Sequence, residues 1–234
     1  MRQSVKKFET KKLHYGRFLY KVSIRSELAH IFRTELQRKG NLAYASSELF
    51  HYEQSYKAGR SLQKKSWRQR HSEFITHEDF LCCQKIYRWL KNSKDYLVRC
   101  EMNTLNIYSN NENFIKKFTN LETCIDFSEP DPGMISFLRN NANVIITDNP
   151  TDFPLKITFG KQPGKKELGR WLIANKDKAR CGPVFLDNCL KEARWIKGQY
   201  VFIRDEKVLM MLQLICGDNI SRIDKLVYKE DIDK

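Results

Sequence analysis

Phe18, Tyr20, Val22 and Ile24 alternate with Lys21, Ser23 and Arg25 across the stretch from Arg17 to Arg25. A period of two predicts a half-buried strand with a basic outer face, and Leu19 falls on that outer face as well. The spacing then changes. Leu28, Ile31, Phe32 and Leu36 recur every three or four positions, which predicts a helix from an N-cap at Ser26 to about Lys39, stopped by Gly40. Its polar side carries Arg33, Arg38 and Lys39. Residues 41–75 are the least periodic part of the chain and fit either a loop or a helix that forms on a partner. Thr76-His77-Glu78-Asp79 then reads as a capping box. It opens a helix with Phe80, Cys83, Tyr87 and Leu90 on one stripe, widened by Ile86 and Trp89.

From Tyr96 the pattern turns to short strands. YLVRCE and TLNIYS, separated by Met102-Asn103, predict a β-hairpin, followed by a short helix from about Glu112 to Phe118. The run Glu129-Pro130-Asp131-Pro132-Gly133 is a turn and the expected internal hinge. A helical piece from Ile135 to Arg139, a strand NVIIT, a Pro-bearing turn at 148–154, a strand LKITF and a helix with Leu168, Trp171 and Leu172 come next. Pro183 is placed to open a helix running through Trp195. Tyr200 to Ile203 reads as a strand. Asp205 reads as the cap of a helix carrying Val208, Leu209, Met211, Leu212 and Ile215, with Gly217 as its stop and Ile220 to Tyr228 as a returning strand. The whole predicts an α+β fold, with a basic strand/helix N-terminal region packed on a mixed C-terminal region that ends in a strand–helix–strand unit.

Charge adds what periodicity leaves out. The 234-residue chain carries a formal +14 with a pI near 9.4. Residues 1–95 hold 21 Lys and Arg against 9 Asp and Glu, whereas residues 96–234 hold 21 against 19. This division suggests a basic nucleic-acid-contacting region over 1–95 and a near-neutral scaffold over 96–234. The basic region is densest between Lys57 and His71, KAGRSLQKKSWRQRH, with no acid between Glu53 and Glu73. Cations so close together repel one another and are costly to desolvate, so they face water or a polyanion. Lys57, Arg60, Lys64, Lys65, Arg68 and Arg70 are the expected phosphate contacts. Trp67 is the expected stacking platform, with Tyr52 and Tyr56 just upstream. An acidic protein would satisfy the same charge. The leading expectation is a non-enzymatic binder of DNA or RNA. The alternatives are a metal-dependent nuclease and a viral structural or assembly protein packing against genome or an acidic subunit.

Other chemistry is thin. The seven cysteines (82, 83, 100, 124, 181, 189 and 216) form no CxxC pair, so they read as small apolar residues in a reducing compartment rather than disulfides or zinc ligands. His71, His77, Cys82 and Cys83 cluster in sequence without zinc-site spacing. Phe159-Gly160-Lys161-Gln162-Pro163-Gly164-Lys165-Lys166 superficially resembles a phosphate-binding loop, but has three residues between its glycines and no Ser or Thr after the lysine. Asp205 and Lys207 at a strand end fit the carboxylate-x-Lys arrangement of a nuclease, although an N-cap explains Asp205 more simply. No cofactor, metal or membrane partner is expected, and no stretch of 18 apolar residues occurs. Tyr15-Gly16-Arg17-Phe18-Leu19-Tyr20-Lys21 and the stretch from Tyr200 to Leu212 resemble small uncharacterised proteins encoded by bacteriophages. The resemblance implies a viral origin, hence a host cytoplasm or a virion, and implies no activity.

Overall fold

The structure, a computed structural model, describes residues 4–33, 42–64 and 73–232. The fold is α+β. It consists of two compact units, residues 1–139 and 140–234.

The first unit is built on a five-stranded mixed sheet of β1 (Lys6–Glu9), β2 (Tyr20–Arg25), β5 (Leu97–Glu101), β6 (Thr104–Ser109) and β7 (Cys124–Glu129). Their order is β1-β7-β2-β6-β5. The alternation around Tyr20 does make a strand, and a central one, antiparallel to both β6 and β7. Tyr20, Val22 and Ile24 are buried on one face with Leu105, Ile107, Val98 and Phe127, each contributing about 1.5–3 kcal/mol by leaving water. The opposite face is less basic and less wet than alternation predicts. Leu19 and Ser23 are buried, and Ser23 Oγ donates to Asn106 Oδ1 at 2.8 Å. Strands from both sides of residue 95 share this sheet, so the step in charge at 95/96 is not a step in structure.

Two helices of this unit depart from expectation in opposite ways. The helix expected from Ser26 is only a 3-10 turn at Ala29–Phe32 over the described part; residues 34–39 of the prediction lie outside the described residues. Ser26 Oγ accepts from Leu28 N at 3.0 Å and so turns the chain instead of starting a helix. Conversely, α1 (Ala43–Lys57) occupies the aperiodic region, with Ala45 and Leu49 as its buried residues. Two short strands follow, β3 (Gln63–Lys64) and β4 (Glu73–Phe74), and then α2 (His77–Lys91). The Thr76 hydroxyl caps α2 by accepting from Asp79 N at 3.1 Å. The return half of the capping box is redirected, because Asp79 Oδ2 accepts from Glu27 N at 3.0 Å and ties the helix to the end of β2. The β5–β6 hairpin turns at Met102, whose φ is +52. Short α3 (Glu112–Lys116) is capped by Asn111 Oδ1, and α4 (Ile135–Asn140) brings the chain to the boundary between the units.

The second unit has five strands, β8 (Val144–Thr147), β9 (Leu155–Phe159), β10 (Ala179–Cys181), β11 (Tyr200–Ile203) and β12 (Ile220–Tyr228), in the order β10-β11-β9-β12-β8. Its helices are α5 (Lys166–Ala174), α6 (Pro183–Leu190) and α7 (Glu206–Cys216). One core joins Ile157, Phe159, Val201 and Ile203 from the sheet to Leu168, Leu172, Phe185, Cys189, Val208 and Leu212 from these helices, so all three helices pack on one face. The terminal strand–helix–strand unit is present as predicted, with Pro183 at the start of α6 and Gly217 ending α7 at φ +56. α6 stops at Leu190, short of Trp195, which is 67% exposed. Among the described residues no helix is long and apolar enough to cross a membrane.

Candidate nucleic-acid interface

The basic segment begins where α1 ends. Ala58 N donates to Gln54 O at 3.0 Å and Gly59 N to Tyr56 O at 2.9 Å. Gly59 then takes φ +68, which a residue without Cβ adopts at little cost. The chain reverses, and Arg60 N returns to Ser55 O at 3.0 Å. Leu62 and Ile75 are both buried, and Ile75 N donates to Leu62 O at 3.0 Å. Beyond this pin, β3 and β4 pair antiparallel with Gln63 opposite Phe74 and Lys64 opposite Glu73. The stem therefore holds residues 64 and 73 side by side, and buried Leu62 and Ile75 fix it to the body of the unit.

Of the expected phosphate contacts, Lys57 and Arg60 are exposed at the end of α1. Lys57 Nζ lies 2.8 Å from Glu53 Oε1 one turn earlier. An exposed pair of this kind is worth about 0.3–0.5 kcal/mol, too little to withhold the lysine from a phosphate. Lys64 is placed by its backbone pairing. Lys65, Trp67, Arg68, Arg70 and also His71 lie outside the described residues. Tyr52 and Tyr56 turn out to have structural work. Burial pushes the Tyr52 phenol up to about 12, and Tyr56 stacks on His77 with ring centroids 4.1 Å apart. That stack clips the end of α1 to the start of α2. It also gives His77 a place unrelated to metal. α2 adds exposed Lys85, Arg88 and Lys91 to the same unit.

A cleft of about 520 Å³ in the first unit went unseen in the sequence. Lys7, Glu9, Tyr20, Glu112, Lys116 and Glu129 line it, drawn from four separated stretches that no motif connects. Tyr20 Oη donates to Glu112 Oε2 at 3.3 Å, while Lys116 pairs with Glu112 and lies 3.9 Å from Glu129 Oε2. Burial, then Glu112, raises the Tyr20 phenol, and the Lys116 hydrogen bond lowers the Glu112 carboxyl. With Asp131 also on its wall the cleft holds more carboxylates than cations, an arrangement that disfavours phosphate. Among the described residues, no three His, Cys, Asp or Glu side chains are grouped to hold a metal ion.

The remaining sequence candidates resolve into structural roles. In the glycine-bearing loop, Gly160 N donates to Asn219 O at 2.6 Å, Gln162 N to Asn219 Oδ1 at 3.1 Å and Gly164 N to Ala193 O at 3.0 Å. Three of the amides a phosphate could use are thus spent inside the protein. Lys165 Nζ donates to Ile215 O near the end of α7 at 2.8 Å. Asp205 Oδ1 accepts from Val208 N at 3.0 Å, the geometry of an N-cap. None of the seven cysteines forms a disulfide. Burial pushes the Cys100 and Cys189 thiols up to about 12 and those of Cys124 and Cys216 up to about 11, so they remain protonated and unreactive at neutral pH.

Compared with protein-family models, with curated proteins and with solved structures, the chain matches none of them.

Proposed function

We propose that the protein binds nucleic acid through its basic N-terminal region and carries out no chemistry on it, and that it is of viral origin. One observation carries the binding: six cations from Lys57 to Arg70 with no acid within that stretch of sequence, in a chain of net charge +14. The β3–β4 stem, which holds the backbone of Lys64 within this segment, supports the reading, since a fixed attachment lowers the ordering cost of engaging a polyanion. The exposed cations of α2 in the same unit extend the positive surface.

The test is a salt titration of the full chain on matched single-stranded and duplex oligonucleotides. Log affinity falls with log salt at about −0.9 per phosphate contacted on duplex and about −0.7 on single strands. Replacing Lys64, Lys65, Arg68 and Arg70 together with Ala removes roughly three to four units of slope on duplex when all four make contact. An unchanged slope overturns the reading.

A further inference from the structure

The face of the second sheet away from its helices is unlike an ordinary solvated surface. Successive side chains alternate across a strand, so the burial of Ile157, Phe159, Val201, Ile203 and Ala179 under the helices turns their neighbours outward. The register aligns those neighbours in two rows. Arg180, Phe202 and Lys156 lie side by side across β10, β11 and β9, with Asp224 of β12 next in line. Tyr200, Thr158 and Arg222 form the adjoining row.

The rows place rings among cations. Tyr200 is 42% exposed, and its ring lies 5.3 Å from that of Phe202 at an interplanar angle of 72°. Lys156 Nζ stands 3.9 Å from the Tyr200 ring centroid. Arg180 is exposed at one edge. The single carboxylate, Asp224, is buried and bonded by Arg222 Nε at 2.8 Å, so no free anion stands in the field. Thr158 Oγ1, beneath this row between Tyr200 and Arg222, is buried and has no hydrogen-bond partner within the protein.

We infer that this face is a platform for a single-stranded nucleic acid, with bases on Tyr200 and Phe202 and phosphates on Lys156, Arg180 and Arg222. Ring faces are useful only to bases that are not already stacked within a duplex, and every base offers such a face. The surrounding cations complement the phosphates that flank a stacked base. The inference deepens the proposed function by naming a strand type, but rests on residues remote in sequence from the Lys57–Arg70 cluster, so each can fail alone.

The test is fluorescence anisotropy of the full chain with a labelled 15-residue oligo-dT and with its duplex on oligo-dA, over a range of salt. Tyr200→Leu with Phe202→Leu keeps the face apolar while removing both rings. It is expected to weaken oligo-dT binding about 5-fold or more per stacked ring, to leave the salt slope unaltered, and to spare the duplex. Arg180→Glu, a surface change that does not threaten folding, is expected to weaken oligo-dT binding and to reduce the slope by about 0.7 or more. Normal oligo-dT binding by both variants overturns the inference. So does equal loss on single strand and duplex in the ring variant, because stacking would then not be the cause. So too does a wild type that binds no oligonucleotide but self-associates until Arg180→Glu separates the copies. If only the cluster variant loses binding, this face is not the site and the basic-segment reading stands. If only the face variants lose it, the reverse holds.

Discussion

On the first sheet, the face away from the helices carries Lys21, Ser23, Asn106, Tyr108 and Asp126; on the second, the same position in the layout carries Lys156, Thr158, Tyr200, Phe202 and Arg222. Residue types are alike, but surroundings are not. In the first unit the segment before β2 folds back, so that His14, Tyr15 and Phe18 ring Tyr108 at centroid distances of 5.4, 5.1 and 6.5 Å. Tyr15 holds φ +56, a conformation that costs a bulky residue about 1 kcal/mol or more. Its hydroxyl is fixed there by Arg99 Nη1 at 2.9 Å. In the second unit the helices take the other face and leave the aromatic rows accessible. A covered polar face has to find its partners inside the protein, and any it lacks become a liability to stability. An uncovered one contributes little to folding and stays available to a ligand.

The sharpest way to break this comparison is to delete one tyrosine from each face. Tyr108 is 7% exposed and central to the covering rings. Tyr108→Ala is expected to cost about 3–5 kcal/mol, in the range of large aromatic truncations in cores. Tyr200→Ala, at a side chain 42% exposed, loses one cation–π contact, one ring contact and part of its burial, and is expected to cost about 1–2 kcal/mol. Urea unfolding of the full-length variants measures both. Equal costs would mean the two faces are buried alike.

Acid offers the next largest effect, again confined to the covered face. Burial, reinforced by the charges of Lys21 and Lys12 and only partly opposed by Asp126, lowers the His14 imidazole to about 4. Its Nε2 is buried without a hydrogen-bond partner. The unfolded chain protonates this group near 6.5. Between the two values it is therefore the unfolded state that binds the additional proton, and acid favours unfolding. The full neutral-His contribution is present above 6.5 and is lost as pH falls toward 4, a change of up to about 3 kcal/mol. His14→Phe is expected to flatten that part of the stability profile, while Tyr200→Ala leaves it unaltered. A wild-type profile level from pH 7 to 4.5 would sink the account.

The readable parts of the sequence share a physical feature: local signals that tertiary packing did not overrule. The alternation at Tyr20–Ile24, the Met102-Asn103 hairpin, the Thr76 cap and the Tyr200–Tyr228 strand–helix–strand unit are of this kind. The sequence leaves α1 open between a loop and a helix because its solvent face carries Tyr44 and Phe50, which blurs the stripe of Ala45, Leu49 and Tyr52. That i, i+4, i+7 spacing was the signal that could have found it. β1 and β7 were missed for different reasons: β7 buries Cys124, Phe127 and Ser128 without a period of two, and β1 is exposed along its length and takes its place by parallel pairing with β7 rather than by an apolar face. Of the candidate site, the cation cluster was plain in the sequence. The open aromatic rows were not, since Arg180, Tyr200 and Lys156 become neighbours only through strand register.

Gly164 tests the tight loop that sequence alone likened to a phosphate site. A Cβ there would lie 2.7 Å from Asn188 O and 3.0 Å from Cys189 Cα, both backbone atoms that cannot swing aside. Gly164→Ala is expected to cost about 1–3 kcal/mol through overpacking, read as a lower unfolding midpoint of the second unit. A neutral substitution would show the loop to be looser than its three internal hydrogen bonds require, and would return its amides to candidacy as phosphate donors.

The smallest expected effect separates architecture from chemistry beside the open face. Asp205 lies two residues past the end of β11 and has extended backbone, φ −155 and ψ 176, as an N-cap requires. Its Oδ1 accepts from Val208 N, relieving one of the donors that the first turn of α7 leaves unpaired. Glu206 adds a negative charge in that turn, where the helix dipole favours it. Asn presents the same carbonyl oxygen to the same amide, so Asp205→Asn is expected to be close to neutral. Asp205→Ala loses the acceptor and is expected to cost about 1 kcal/mol. Both are read by thermal and urea unfolding beside a cleavage assay containing Mg²⁺ or Mn²⁺. If a fully stable Asp205→Asn protein lost a metal-dependent cleavage that the wild type performed, the carboxylate would be holding an ion rather than a helix. The open face would then be the approach to a nuclease centre instead of a binding platform alone.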